Sequence, residues 1–194
     1  MHLTLYIIRS MPGAGKSTLA RQICDLNGQP YDRICENDDF FMVNGEYRWN
    51  GDIHYLACKW CEGMSAKNLY HHGFSVVPNV FSRYSSFEEY IIDVAEIGKA
   101  LKIRPDIIVT EPPDNAKMDE ELFFKRNLHK VPREVIRGMM TRWQATDENE
   151  LEEFVFSLTG GAKEYMPTVR VMNAFLEVQQ HLMERALGQK VGVA

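Results

Sequence analysis

The chain has no long apolar run, no fixed-period repeat and no low-complexity stretch. A membrane-spanning helix needs about 20 consecutive apolar residues, whereas the first apolar stretch, Leu3-Thr-Leu-Tyr-Ile-Ile8, is short. It also lacks the charged start and cleavage site of a secretory signal, so a cytoplasmic location is expected. Cysteine is scarce. Cys24, Cys35, Cys58 and Cys61 are expected to be free thiols in a chain of this size. Cys58-Lys-Trp-Cys61 has CxxC spacing, but no second Cys/His pair stands at zinc-like spacing. In a helix that separation simply places both thiols on one face.

A basic excess is missing too. The net charge is −5, which counts against an extended nucleic-acid groove, because neutralised phosphates supply much of the affinity of such grooves. A site gripping one or two nucleotides is compatible with that charge. No guanine-reading Asn-Lys-x-Asp stretch occurs, which weighs against a GTPase. What remains is an ordinary globular composition, 45% apolar and 25% charged over 194 residues, enough for one domain with its own core.

Strand and helix signals alternate. Leu3-Thr-Leu-Tyr-Ile-Ile8 reads as a buried parallel strand. Residues 16–26 read as the helix after it, closed by Asn27-Gly28. Further strands are expected at 32–36, 74–77 and 106–110. Asn44-Gly45 marks a turn. Helices are expected at 52–71, from Ser85-Ser86 into 90–101, at 119–129 and at 132–143. The last of these has Pro132 at its first turn. An acidic helix at 146–158, a Gly160-Gly161 break and an amphipathic helix at 167–187 complete the chain. The apolar stripe of that final helix, Val169, Met172, Leu176, Val178, Leu182, Met183 and Leu187, suits packing on its own domain, with a homo-oligomer contact as the alternative. The alternation predicts an α/β fold with a parallel sheet covered on both faces.

Ser10-Met-Pro-Gly-Ala-Gly-Lys-Ser17 sits between a strand and a helix, the context a phosphate-binding loop requires. Gly13 and Gly15 permit the tight turn that points successive amides inward, around Pro12 and Ala14. The helix N-terminus adds its dipole. Lys16 is placed to reach the β- and γ-phosphates of ATP, the Ser17 hydroxyl to ligate Mg²⁺, and Thr18 to continue the loop into the helix. Ser10 stands where the usual consensus has glycine.

Two further features point to phosphoryl transfer. Asp38-Asp39 follows the expected second strand, and carboxyl ends of parallel strands gather at the ligand crevice. A carboxylate there can accept the proton of an acceptor hydroxyl. Loop acids or helix caps are the plainer reading of the pair. The segment 125–142 carries Lys125, Arg126, Lys130, Arg133, Arg137 and Arg142 against one acid, Glu134. It suits a lid that stabilises a transferring phosphoryl group. Alternatively it is a solvated face paired with its acidic neighbours.

Arg9-Ser-Met-Pro-Gly-Ala-Gly-Lys-Ser-Thr-Leu-Ala20, Asn37-Asp-Asp-Phe40, Phe124-Lys-Arg-Asn127 and Lys130-Val-Pro-Arg-Glu-Val-Ile-Arg137 occur in order. Together they resemble the polynucleotide-kinase type of P-loop kinase, including phage DNA kinases that act on hydroxymethylated pyrimidines. The resemblance covers about residues 3–143. It implies an α/β, three-layer parallel sheet of the P-loop NTPase/kinase type, with a core at 1–145 and a lid near 125–142; the tail lies outside the resemblance and reads as a helical C-terminal extension at 146–194 packed on the core. The resemblance implies ATP and Mg²⁺, with Lys16 and Ser17 on the donor phosphates, Asp38 as general base and Arg126 as the lid arginine. Asp39, Arg133 and Arg137 are secondary candidates.

Two departures fall on the acceptor side. Phe41 stands where such kinases carry a phosphate-gripping arginine, and Val77-Pro-Asn-Val-Phe81 replaces an acidic and polar run. Phe40, Phe41, Tyr47 and Trp49 are placed to stack on a base or to pack internally. The reading is a kinase phosphorylating a 5′-hydroxyl end or a hydroxymethylated base, with nucleic acid as substrate. A kinase of a free nucleoside or small metabolite, and a non-catalytic nucleotide-binding module, are the alternatives.

Overall fold

The computed structural model describes residues 2–111, 119–160 and 163–172. In chain order these form β1 (Thr4–Arg9), α1 (Lys16–Leu26), β2 (Met42–Val43), β3 (Glu46–Tyr47), α2 (His54–His72) and β4 (Phe74–Asn79). There follow α3 (Glu88–Leu101), β5 (Asp106–Thr110), α4 (Glu120–Arg126), α5 (Arg133–Thr141), α6 (Glu148–Leu158) and β6 (Thr168–Met172). No helix among the described residues is long and apolar enough to cross a membrane.

Every residue of β1 is buried, because the strand lies inside a parallel sheet of order β4-β1-β5-β6. Its alternation feeds two cores. Leu5 and Ile7, with Leu3 just before the strand, face a cluster with Leu69 of α2, Phe87 ahead of α3, Ile91 and Val94 of α3, and Leu151 and Val155 of α6. Tyr6 and Ile8 face a smaller cluster with Leu19, Ala20, Ile23 and Cys24 of α1. Helices thus cover both faces, as the alternation predicts, and burying one leucine-sized side chain contributes roughly 1.5–3 kcal/mol.

Chain connectivity leaves β1 by way of α1 toward β4 on one side, while β5 pairs on the other. The loop after β1 therefore sits where the winding reverses, and ligands of parallel α/β sheets bind at that point. Local chemistry sets the helix ends. Gly73 closes α2 at φ 72°, a left-handed cap. The Asp147 carboxylate accepts from the amides of Asn149 and Glu150 at 2.8 and 3.2 Å to start α6. β2 and β3 form a hairpin around Asn44 and Gly45 at φ 53° and 82°.

Three expectations change. Residues 32–36 form no strand. Tyr31–Arg33 is a 3-10 turn, and only Ile34 bridges Val76 in parallel beyond β4. Residues 168–172 are an edge strand, not the start of a helix, so the sheet takes its last strand from the segment assigned to the extension. The rest of that expected helix lies outside the described residues. Ser85 and Ser86 sit in a 3-10 turn, and α3 begins without a side-chain cap.

Candidate functional site

The loop after β1 owes its shape to two glycines in left-handed backbone, Gly13 at φ 79° and Gly15 at φ 89°. A side chain costs about 1–2 kcal/mol in that region. Gly15 faces open space, so amides at the start of α1 are free to meet a ligand. Gly13 is closely covered, since a Cβ there would stand 2.3 Å from the Phe123 carbonyl oxygen and 3.1 Å from the Asn127 nitrogen. The end of α4 therefore rests on the loop. Beneath that contact Met11, Phe123 and Ile136 form a third apolar cluster, with Ala14, Val131 and Trp143 against it. The expected lid is anchored directly to the phosphate loop.

Lys16 is half-buried, and its ammonium donates to the Met11 carbonyl at 3.1 Å. Burial lowers its pKa to about 8, partly opposed by the negative charges of Glu36 and Asp38. Those two carboxylates therefore share the neighbourhood of the lysine. The Ser17 hydroxyl donates to Glu36 Oε2 at 3.1 Å. Burial raises the Glu36 carboxyl, and the hydrogen bond from Ser17 opposes that shift. A hydroxyl beside a carboxylate is the hard-oxygen donor set that suits Mg²⁺, which takes most of its remaining ligands from phosphates and water. Among the described residues no group of three or more His, Cys, Asp or Glu forms a self-sufficient metal cage. Nucleotide and metal thus fit here as a pair: the cradle for phosphates, Ser17 for Mg²⁺.

Asp38 lies in a 3-10 turn spanning Asn37–Phe41. Asn79 at the end of β4 fixes that turn, accepting from the Asn37 amide at 3.0 Å and donating to its side chain at 3.3 Å. Asp38 Oδ1 accepts from the Tyr47 hydroxyl at 2.8 Å, and Oδ2 lies 3.3 Å from His129 Nε2. Burial, the largest influence, pushes the Tyr47 phenol above its usual range. Asp39 is exposed, and desolvation raises its carboxyl. Next to Asp38 the rings of Phe41 and Trp49 are 4.8 Å apart, and those of Phe40 and Trp60 are 6.0 Å apart. Phe41 is buried, whereas Trp49 is 55% exposed.

The lid cations divide into two sets. Arg133 and Arg137 both bind Glu120, Arg133 also binds Glu121, and Lys125 lies 3.4 Å from Glu121. Hydrogen bonds from Arg137 and Arg133 lower Glu120 to about 2. Arg126, at the exposed end of α4, has no ion-pair partner among the described residues. The paired-face alternative thus describes Arg133 and Arg137 in this conformation, while Arg126, the last residue of α4, is without such a pair among the described residues.

Sequence reasoning missed Glu36 and His129, named Tyr47 only as a stacking or packing ring and not as a partner of Asp38, and missed the buried cluster at the end of β1. Arg9, at the end of β1, is fully buried between the rings of Phe87 and Trp143, at 4.9 and 4.5 Å. Its guanidinium donates to Glu111 at 3.0 Å, to the Phe81 carbonyl at 2.8 and 3.1 Å, to the Gln144 carbonyl at 2.7 Å and to Thr146. Burial lowers it to about 10, opposed by Glu111. Loss of one partner from such a pair costs about 3–5 kcal/mol, because the other charge stays buried. This knot joins the ends of β1 and β5 to the segment leaving the lid. Cys58 and Cys61 have ordinary roles in α2: Cys61 donates to the Cys35 carbonyl at 3.1 Å, and Cys58 accepts from Asn37 at 3.4 Å.

No family model matches the chain. Among solved structures, a gluconokinase from Sinorhizobium meliloti is 11% identical, with a TM-score of 0.47 and 98% of each chain covered. A shikimate kinase from Acinetobacter baumannii, in complex with shikimate, is 16% identical. Its TM-score is 0.40, with 98% of this chain and 96% of that one covered. In sequence, human NEDD4-binding protein 2 is 29% identical over 146 residues. That stretch is 73% of this chain, which spans only 8% of the length of that relative.

Proposed function

We propose that the protein is an Mg-ATP-dependent kinase that transfers the γ-phosphoryl group to a hydroxyl of nucleic acid, at a 5′ end or on a hydroxymethylated pyrimidine. The observation that carries this reading is the glycine-built loop with Lys16 folded onto it and Ser17 hydrogen-bonded to Glu36, within the electrostatic reach of Asp38. One cation for the donor phosphates and one carboxylate for an incoming hydroxyl stand within each other's field. A kinase needs that pairing, because phosphoryl transfer is mostly positioning and charge stabilisation.

In the proposed reaction the loop amides and Lys16 would hold the phosphate chain, and Ser17, hydrogen-bonded to Glu36, would hold Mg²⁺. Mg²⁺ supplies charge neutralisation on the phosphate oxygens. Asp38 takes the proton as the acceptor O–H bond breaks. The acceptor oxygen bonds to γ-phosphorus, and the bond from that phosphorus to the bridging oxygen breaks to release ADP. Arg126 is the cation proposed to meet the transferring group, and Arg133 and Arg137 brace the lid through Glu120.

The aromatic surface supports a base-bearing acceptor. Trp49 and Trp60, exposed and packed on Phe41 and Phe40 of the turn that carries Asp38, offer ring faces to a nucleobase, and stacking is worth about 1–3 kcal/mol per base. A free nucleoside is the second reading. The net charge of −5 and the neutralised lid cations suit a short contact.

The test is γ-labelled ATP offered to 5′-hydroxyl DNA and RNA, hydroxymethyluracil DNA and free nucleosides. Label on a nucleic acid supports the proposal, and label on a nucleoside alone favours the second reading. A native protein that labels none of them, no better than its Lys16→Ala variant, defeats both.

A further inference from the structure

We infer that His129 is an acceptor-side positioning residue, lowered by the lid onto Asp38 so that the carboxylate faces the incoming hydroxyl. The inference rests on the kinase reading above and adds a residue that no motif in the sequence marks.

Each oxygen of Asp38 meets a group from a different element. Tyr47, from the hairpin, donates to Oδ1 at 2.8 Å, and His129, from the α4–α5 loop, brings Nε2 within 3.3 Å of Oδ2. The two rings pack together with centroids 4.4 Å apart. A carboxylate bonded at one oxygen and approached at the other is restricted in rotation, yet each oxygen keeps acceptor capacity for a hydroxyl. Contacts of this kind are often long in unliganded sites and tighten in the reacting complex.

The loop that presents His129 is itself built. Asn127 Nδ2 donates to the Val131 carbonyl at 2.8 Å, and Lys130 is in left-handed backbone at φ 53°. Arg126 comes just before this loop, where α4 rests on Gly13. One short lid segment therefore joins the α4 end that covers Gly13 to the imidazole that meets Asp38. When the lid seats on the phosphate loop it sets both. Proton balance is unchanged: the acceptor's proton goes to Asp38, and His129 and Tyr47 keep their own.

The experiment measures transfer from labelled ATP to the acceptor found by the panel, for His129→Ala and His129→Gln, on the native and Asp38→Asn backgrounds. Alanine lowers kcat about tenfold with the KM for ATP nearly unchanged, and glutamine recovers most of the loss by supplying a donor. On the Asp38→Asn background alanine has no further effect, because the group it orients is gone. Native-like kcat in His129→Ala overturns the inference, as does a full loss that persists without Asp38. Undiminished turnover in Asp38→Asn instead defeats the base assignment of the parent reading. A second measurement needs neither ATP nor acceptor. The ring ¹⁵N resonances of His129 in the full chain shift on Asp38→Asn, and unmoved resonances overturn the contact itself.

Discussion

The donor and acceptor halves of the proposed site are built by opposite means. On the donor side the work is done by backbone: two left-handed glycines, a helix start and one lysine within ten residues. On the acceptor side it is done by side chains brought together from the Asn37–Phe41 turn, the β2–β3 hairpin, α2 and the lid loop. Phosphate chains are alike in every nucleotide, so a local backbone cradle suffices for them. An acceptor must be chosen by shape, and shape needs several elements.

Substitutions should separate the halves. Lys16→Ala removes the charge on the donor phosphates and should lower transfer to every acceptor by about 10³-fold, read as kcat/KM with labelled ATP. Asp38→Asn should lower kcat by about 10²-fold with ATP affinity nearly unchanged, because it acts on the reacting hydroxyl alone. A large loss of ATP affinity in that variant would merge the two halves. Trp49→Ala should raise the KM for a base-bearing acceptor about tenfold and leave the KM for ATP alone. Equal effects on both substrates would remove the stacking surface from the acceptor side.

A pH series gives the smallest effect. Because burial holds Lys16 at about 8, its ammonium is charged below that pH and progressively neutral above it. The form that binds phosphate is the charged one, so ATP affinity should be flat up to about pH 7 and about fourfold weaker at pH 8.5. Calorimetric titration at each pH reads this directly. Affinity that rises with pH would mean that Lys16 does not face the phosphates.

The same division governs what the sequence discloses. The loop is a contiguous motif in a strand–helix context, and β5 appears at the residues expected, 106–110, because its apolar run is bounded by turn signals. Asp38 was visible through its place after the expected second strand, although that strand shrinks to the single bridge at Ile34. His129 was hidden, and so was the bond of Tyr47 to Asp38, since a lone histidine and a lone tyrosine carry no spacing signal and meet Asp38 only through folding. Arg9 and Glu111 were hidden for the same reason, at a separation of 102 residues. Residues 168–172 were misread because a short apolar run fits a helical stripe as well as a β period.

A crystal structure of the full chain with Mg²⁺ and a non-hydrolysable ATP analogue would show directly whether the two halves face one another. The terminal phosphate should contact the Lys16 ammonium and the loop amides, with the Asp38 carboxylate across a gap the width of one hydroxyl. A terminal phosphate bound elsewhere, or an Asp38 side chain turned away from it, would contradict a shared site for donor and acceptor.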